Sequence, residues 1–212
     1  MTNNICYIIG AGENYGLDFT PTSNDFVIAA DAGLRYLEQY GITADLVIGD
    51  FDSLNHIPIH PNTTVLSPEK DDTDMYAAVR EGIKAGYSVF HIYCGTGGRT
   101  DHTIANLQTL AYLSQNGMQG FLFGKDIVIT AITNQKMAYD KISSGYISVF
   151  SYTEKSEGVN LRGLKYELNN ATLTSTFPLG VSNEFIGKES SVSVAAGTLL
   201  IVFPREAMTS LM

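Results

Sequence analysis

Apolar positions in the first half of the chain follow two alternating patterns. Ile5–Ile9 is a short apolar run that ends in Gly10, Gly12 and Gly16, and Phe26–Ala30 is a second run that ends at Asp31. Runs of this length with Gly or Asp at their ends read as strands. Ala32–Tyr40 carries Leu34 and Leu37 at helical spacing, and Gly41 can supply the left-handed stop. Leu46–Ile48, Thr64–Leu66 and Ser88–Tyr93 read as strands. Asp74–Ala85 reads as a helix with an apolar stripe of Met75, Ala78, Val79 and Ile83, and Thr103–Ser114 as another with Ile104, Leu107, Leu110 and Ala111. Strands that alternate with helices predict a mainly parallel sheet covered on both faces.

Beyond Gly117 the helical period disappears. Gly120–Phe123, Ile127–Ile132, Tyr146–Tyr152, Ala171–Phe177, Ser191–Ala195 and Thr198–Phe203 are β-rich runs, separated by Ser144-Gly145, Asn169-Asn170 and Ala196-Gly197. This pattern predicts an antiparallel sandwich or small barrel. The expected organisation is an α/β N-terminal domain over residues 1–120 and an all-β C-terminal domain over 121–212, with no Pro- or Gly-rich linker between them.

Composition narrows the function. The formal net charge of -9 argues against nucleic-acid binding through a diffuse basic surface. A polyphosphate would need a metal ion or a few well-placed cations. Cys6 and Cys94 both lie in apolar runs and read as buried thiols. Met1–Asn4 holds no basic cluster ahead of an apolar core, and no apolar run approaches the ~18 residues of a membrane span. A cytoplasmic location is the expectation.

Three polar segments could carry chemistry. Gly49-Asp50-Phe51-Asp52-Ser53 follows a strand. If the chain stays extended there, Asp50 and Asp52 point to one side and suit Mg²⁺, which takes carboxylates together with water and substrate phosphates; otherwise the segment is a polar turn. Lys70-Asp71-Asp72-Thr73-Asp74 precedes a helix. Thr73 or Asp72 can cap it, and a carboxylate here can also complete a metal site while Lys70 and the Thr73 hydroxyl contact phosphate. Gly95-Thr96-Gly97-Gly98-Arg99-Thr100-Asp101-His102 joins a strand to a helix. Its glycines permit close backbone approach, Arg99 offers a planar fork of donors, and Asp101 can hold Arg99, cap the helix or bind substrate. In a parallel sheet all three segments leave the same edge, where ligands bind.

Other segments are less specific. Gly10-Ala11-Gly12-Glu13-Asn14-Tyr15-Gly16 does not fit a dinucleotide fingerprint and reads as a phosphate-approach loop or a plain turn. Asp31 either caps the following helix or reaches the metal or nucleotide. His56, His60 and His91 lack metal-ligand spacing, whereas His102 adjoins the third segment.

Together these motifs resemble the thiamine pyrophosphokinase family. The resemblance rests on the three segments in this order, with Asp31-Ala32-Gly33 upstream and Gly180-Val181-Ser182-Asn183-Glu184 in the β-rich half. It implies a two-domain fold, a homodimer with active sites at the subunit interface, and transfer of the pyrophosphoryl group of ATP to the hydroxyl of thiamine with release of AMP. It implies that Asp50, Asp52 and Asp74 hold Mg²⁺, that Asp31, Lys70, Thr73, Arg99 and Asp101 contact or shape the ATP site, and that Ser182 and Asn183 lie against thiamine. Asp74 or Asp101 would accept the alcohol proton. The chain has no tryptophan to stack on thiamine, so Phe177 or Phe185 would substitute. A Mg²⁺-dependent phosphohydrolase and a non-catalytic ligand sensor are the competing readings.

Overall fold

The β-branched and aromatic runs of the first half form a parallel sheet. The computed structural model describes residues 4–52, 56–67, 69 and 71–211. In chain order the elements begin β1 (Ile5–Ile9), β2 (Phe26–Ala30), helix α1 (Gly33–Tyr40), β3 (Leu46–Gly49), β4 (Thr63–Val65), α2 (Asp74–Lys84), β5 (Val89–Tyr93), α3 (Thr100–Gln115) and β6 (Gln119–Phe123). The strands lie in the order β6-β5-β1-β2-β3-β4, and every pair from β5 to β4 is parallel. β5 is buried along its whole length, as expected of a strand covered on both faces.

Local chemistry sets the helix ends. Thr73 caps α2, its Oγ1 accepting the Tyr76 amide at 3.1 Å. Gly41 ends α1 in the left-handed conformation. α2 buries Met75, Ala78 and Val79 as its periodicity predicts, together with Gly82, where a Cβ would lie 2.7 Å from the Cys6 Sγ and the Phe90 ring. α3 departs from expectation: Ile104 is exposed, and the buried face runs through Asn106, Thr109, Leu110, Leu113 and Ser114. A polar residue that satisfies its own hydrogen bonds can face inward in place of an apolar one.

The remaining elements are β7 (Ile127–Thr133), β8 (Lys136–Tyr139), β9 (Tyr146–Ser151), β10 (Lys155–Arg162), β11 (Leu168–Thr174), β12 (Gly180–Glu184), β13 (Ser190–Ser193) and β14 (Thr198–Pro204), then a 3-10 helix at Arg205–Ser210. They form two antiparallel arrays, β12-β9-β14-β7 and β11-β10-β13-β8. The Tyr139 ring of one array meets the Phe203 ring of the other edge-on at 5.4 Å, as in a sandwich core. An α/β part followed by an all-β part is the predicted fold class.

By contacts, the described residues up to Thr109 together with Gly120–Lys125 form one compact unit, and Leu110–Gln119 with the residues from Asp126 onward form the other. Both cysteines are buried thiols. No helix among the described residues is long and apolar enough to cross a membrane.

Candidate active site

Register brings the loops of the first unit together. Ile9 aligns with Ala29 and Tyr93, and Ala30 with Ile48. The segments that begin at Gly10, Asp31, Asp50 and Cys94 therefore leave one edge of the sheet, at the carboxyl ends of its strands. Non-glycine residues with left-handed backbone mark this edge: Asp31 (φ 51°), Phe51 (φ 60°) and Cys94 (φ 53°). Each costs of order 1 kcal/mol or more, and strain of this kind concentrates at ligand sites. Gly10 donates to the Tyr93 carbonyl at 2.9 Å and Gly12 to the Cys94 carbonyl at 2.7 Å, so the first loop is tied to the loop after β5. Gly33 must be glycine, because a Cβ there would lie 2.0 Å from the Ile9 carbonyl oxygen.

These loops enclose a cavity of about 470 Å³ whose walls include Asp31, Asp74 and Arg99, the glycines at 10, 12, 97 and 98, and His102. Asp31 is 8% exposed, and its Oδ1 is buried without a hydrogen-bond partner. A buried carboxylate oxygen left unpaired is costly. Facing a cavity also lined by Asp74, it suits a hard cation or a ligand donor.

Arg99 is held by Asp101 through a two-point contact, Nε to Oδ1 at 3.2 Å and a terminal nitrogen to Oδ2 at 2.5 Å. This pair raises the Arg99 pKa and holds the Asp101 carboxyl below its usual range. Both side chains are exposed, so the pair adds little stability and can reopen toward phosphate at small cost.

The first polar segment, after Gly49, is not extended as a shared side for Asp50 and Asp52 would require. Phe51 turns left-handed and buries its ring, and the Asp52 amide donates to Asp50 Oδ1 at 3.2 Å, an Asx-type turn. Asp50 follows Gly49, which packs against Asp31, whereas Asp52 is exposed. Asp50, Asp52, Thr73 and Asp101 are not among the cavity walls. Lys70 and Ser53 lie outside the described residues. Among the described residues, no three His, Cys, Asp or Glu side chains stand close enough to form a metal cage by themselves. Mg²⁺ usually binds through one or two carboxylates plus waters and phosphates, so the hard-oxygen set at this edge fits that ion.

Ser182 and Asn183 belong to β12 in the second unit. Ser182 is exposed, with φ 57°, and its amide donates to Ser148 Oγ at 3.1 Å. Asn183 is buried; its Oδ1 accepts the amides of Tyr166 and Glu184, and its Nδ2 donates to the Tyr166 carbonyl at 2.6 Å. Asn183 therefore fixes the loop that carries Tyr166. Of the two phenylalanines, Phe185 is buried against Tyr139 and Phe177 is exposed.

Two cavity residues, Tyr36 and Asn106, were not singled out by sequence, and Glu13 stood only within the glycine segment read as a phosphate-approach loop or a plain turn. Tyr36 Oη donates to the Gly12 carbonyl at 3.0 Å, and Asn106 Nδ2 to the Gly95 carbonyl at 2.7 Å. The signal for Asn106 was its place one helical turn after His102.

Residues 20–122 match the family model described as thiamin pyrophosphokinase, catalytic domain, and residues 133–199 match thiamin pyrophosphokinase, vitamin B1 binding domain. The chain is similar to thiamine pyrophosphokinase of Bacillus subtilis (strain 168), with 28% identity over 204 residues covering 92% of this chain and 95% of that protein. The crystal structure of thiamine pyrophosphokinase from Bacillus subtilis superimposes with a TM-score of 0.85 at 25% identity, over 95% of this chain and 99% of the other. That of thiamin pyrophosphokinase from Geobacillus thermodenitrificans has the same fold, with a TM-score of 0.82 at 24% identity over 94% and 97% of the two chains.

Proposed function

This chain belongs to the thiamin pyrophosphokinase family, and we propose from that premise that it is a thiamine diphosphokinase, transferring the pyrophosphoryl group of ATP to the hydroxyl of thiamine to give thiamine diphosphate and AMP. The observation that carries the reading is the cavity at the strand ends, where the unpartnered Oδ1 of Asp31 meets a wall shared with Asp74, Arg99 and paired glycines. That is a polyphosphate and cation environment within a net acidic protein.

In this proposal Asp50, Asp52 and Asp74, which form no cage by themselves, would hold Mg²⁺ together with water and phosphate oxygens. When bound, the ion supplies neutralisation of phosphate charge. Asp31, Lys70, Thr73, Arg99 and Asp101 contact or shape the ATP site. The glycines at 10, 12, 97 and 98 let backbone approach the phosphates, and Arg99 leaves Asp101 to donate to their oxygens. The thiamine hydroxyl oxygen forms a bond to the β-phosphorus as the bond from that phosphorus to the α–β bridging oxygen breaks. AMP departs with that oxygen, and the alcohol proton passes to a carboxylate. Asp74, or Asp101 once Arg99 has turned to the phosphates, takes this role. Positioning and charge stabilisation supply most of such a rate enhancement. Ser182 and Asn183 border thiamine, and the protein works in the cytoplasm as a homodimer whose two copies complete each site.

The test is to supply ATP, Mg²⁺ and thiamine and identify the nucleotide formed. AMP appearing only with thiamine is expected; ADP, or equal ATP consumption without thiamine, refutes the assignment. Asp52→Asn is expected to slow AMP formation on the order of 10²–10³-fold, and near-normal turnover in this variant would remove Asp52 from the metal site.

A further inference from the structure

The loop that presents Arg99 contains two successive left-handed glycines, Gly97 (φ 79°) and Gly98 (φ 60°). Such a turn has wide conformational freedom, and fixing it costs entropy. A side chain from another loop does the fixing. The Glu13 amide donates to the Thr96 carbonyl at 3.0 Å, which brings Glu13 alongside the turn. Its Oε1 accepts the Gly98 amide at 3.2 Å, and its Oε2 accepts the Tyr15 hydroxyl at 2.6 Å. The side chain lies flat on Gly97: a Cβ there would come within 2.6 Å of Glu13 Cδ and 2.7 Å of its Cγ. Tyr15 and the Gly98 amide keep the carboxyl ionised by lowering its pKa.

We propose that Glu13 is a positioning residue of the nucleotide pocket: its carboxylate clamps the Gly97–Gly98 turn and so sets where Arg99 enters. This rests on the function proposed above and adds a residue to it. Glu13 acts through the turn and through Arg99, so its effect falls on nucleotide binding. Losing one charge-assisted hydrogen bond at an exposed position is expected to matter several-fold, not by orders of magnitude.

Affinity for a non-hydrolysable ATP analogue with Mg²⁺ is measured by calorimetry for Glu13→Ala, Glu13→Gln, Gly97→Ala and the double variant Glu13→Ala/Gly97→Ala, beside steady-state kinetics and thermal unfolding. Glu13→Ala is expected to weaken nucleotide binding roughly three- to tenfold, to raise KM for ATP in proportion and to leave KM for thiamine unchanged. Its thermal midpoint should stay within about 2 °C of the parent. Glu13→Gln, which keeps an oxygen for the Gly98 amide, restores most of the affinity. Gly97→Ala weakens binding by itself, and by less in the Glu13→Ala background, where the colliding side chain is gone. Unchanged affinity in Glu13→Ala overturns the proposal, and so does tighter binding, which would make Glu13 a competitor of phosphate. Equal loss of both substrates together with a large drop in stability assigns Glu13 to the fold instead. Affinity is read apart from turnover, so a parent protein that binds the analogue yet forms no AMP contradicts the function and not the clamp. A parent protein that binds no nucleotide overturns both.

Discussion

Asp31 sits directly over Gly49: the Asp31 amide donates to the Ile48 carbonyl at 2.8 Å, and a Cβ on Gly49 would approach the Asp31 Cα to 3.0 Å. The absent side chain lets two strand ends close together, so an acidic residue from each, Asp31 and Asp50, leaves the sheet at one edge. Asp31 is held there in left-handed backbone with an unpaired buried oxygen, and both features lower stability. A residue retained at a thermodynamic loss points to a ligand that meets it.

Asp31→Asn follows from that reasoning. Asparagine tolerates the left-handed region and removes the buried negative charge. The variant is expected to be equally stable or more stable, by on the order of 1 kcal/mol, while AMP formation falls by about 10²-fold. Chemical denaturation and a turnover assay check the two halves separately. A variant that loses stability and keeps its rate would make Asp31 an ordinary structural turn residue.

Much of this edge was legible in the sequence because strand-ending polar segments keep their meaning in a parallel sheet. Asp31, Asp74 and Arg99 line one cavity as their positions after or beside strands suggested. The geometry between Asp50 and Asp52 was not legible, because it turns on the left-handed Phe51, and phenylalanine carries no signal for that backbone. The second half was harder to read. β10 hides a buried serine, Ser156, whose hydroxyl reaches Ser151 Oγ at 2.8 Å and the Thr198 carbonyl at 3.1 Å, so its inward face carries no hydrophobic alternation there. β8 has four residues, and β12 reads as a polar turn because its Asn183 works inside the fold. Glu13 was hidden for another reason: its partners, Gly97 and Gly98, lie far along the chain.

Phe177 and Phe185 separate by burial. Phe185 is 3% exposed and packs its ring against Tyr139 at 5.3 Å, whereas Phe177 is 65% exposed. Only an exposed ring can stack on a ligand without unfolding its own core. Phe177→Ala is expected to raise KM for thiamine several-fold, on the scale of a lost ring contact of about 1 kcal/mol, with stability nearly unchanged. Phe185→Ala is expected to cost about 3–5 kcal/mol of stability. An unchanged KM for thiamine in Phe177→Ala would exclude this ring from the thiamine site.

His91 predicts how the fold responds to acid. It lies in the middle of β5 at 2% exposure, ringed by Tyr7, Phe121 and Phe123 at 5.2–5.5 Å. Burial pushes its pKa from 6.5 down to about 4, and Asp18 and Asp25 oppose that shift only in part. The folded chain therefore keeps His91 neutral while the unfolded chain, with the ordinary pKa, takes up a proton as pH falls below 6.5. Stability is unaffected by this group above that pH, declines from there to about pH 4, and loses nothing more from it below. The whole fall amounts to about 3 kcal/mol. Denaturant midpoints measured from pH 7.5 to 4 should show it. In His91→Phe, which keeps an aromatic ring among the same neighbours, the slope attributable to this position should vanish. A variant as acid-sensitive as the parent would place the titration elsewhere.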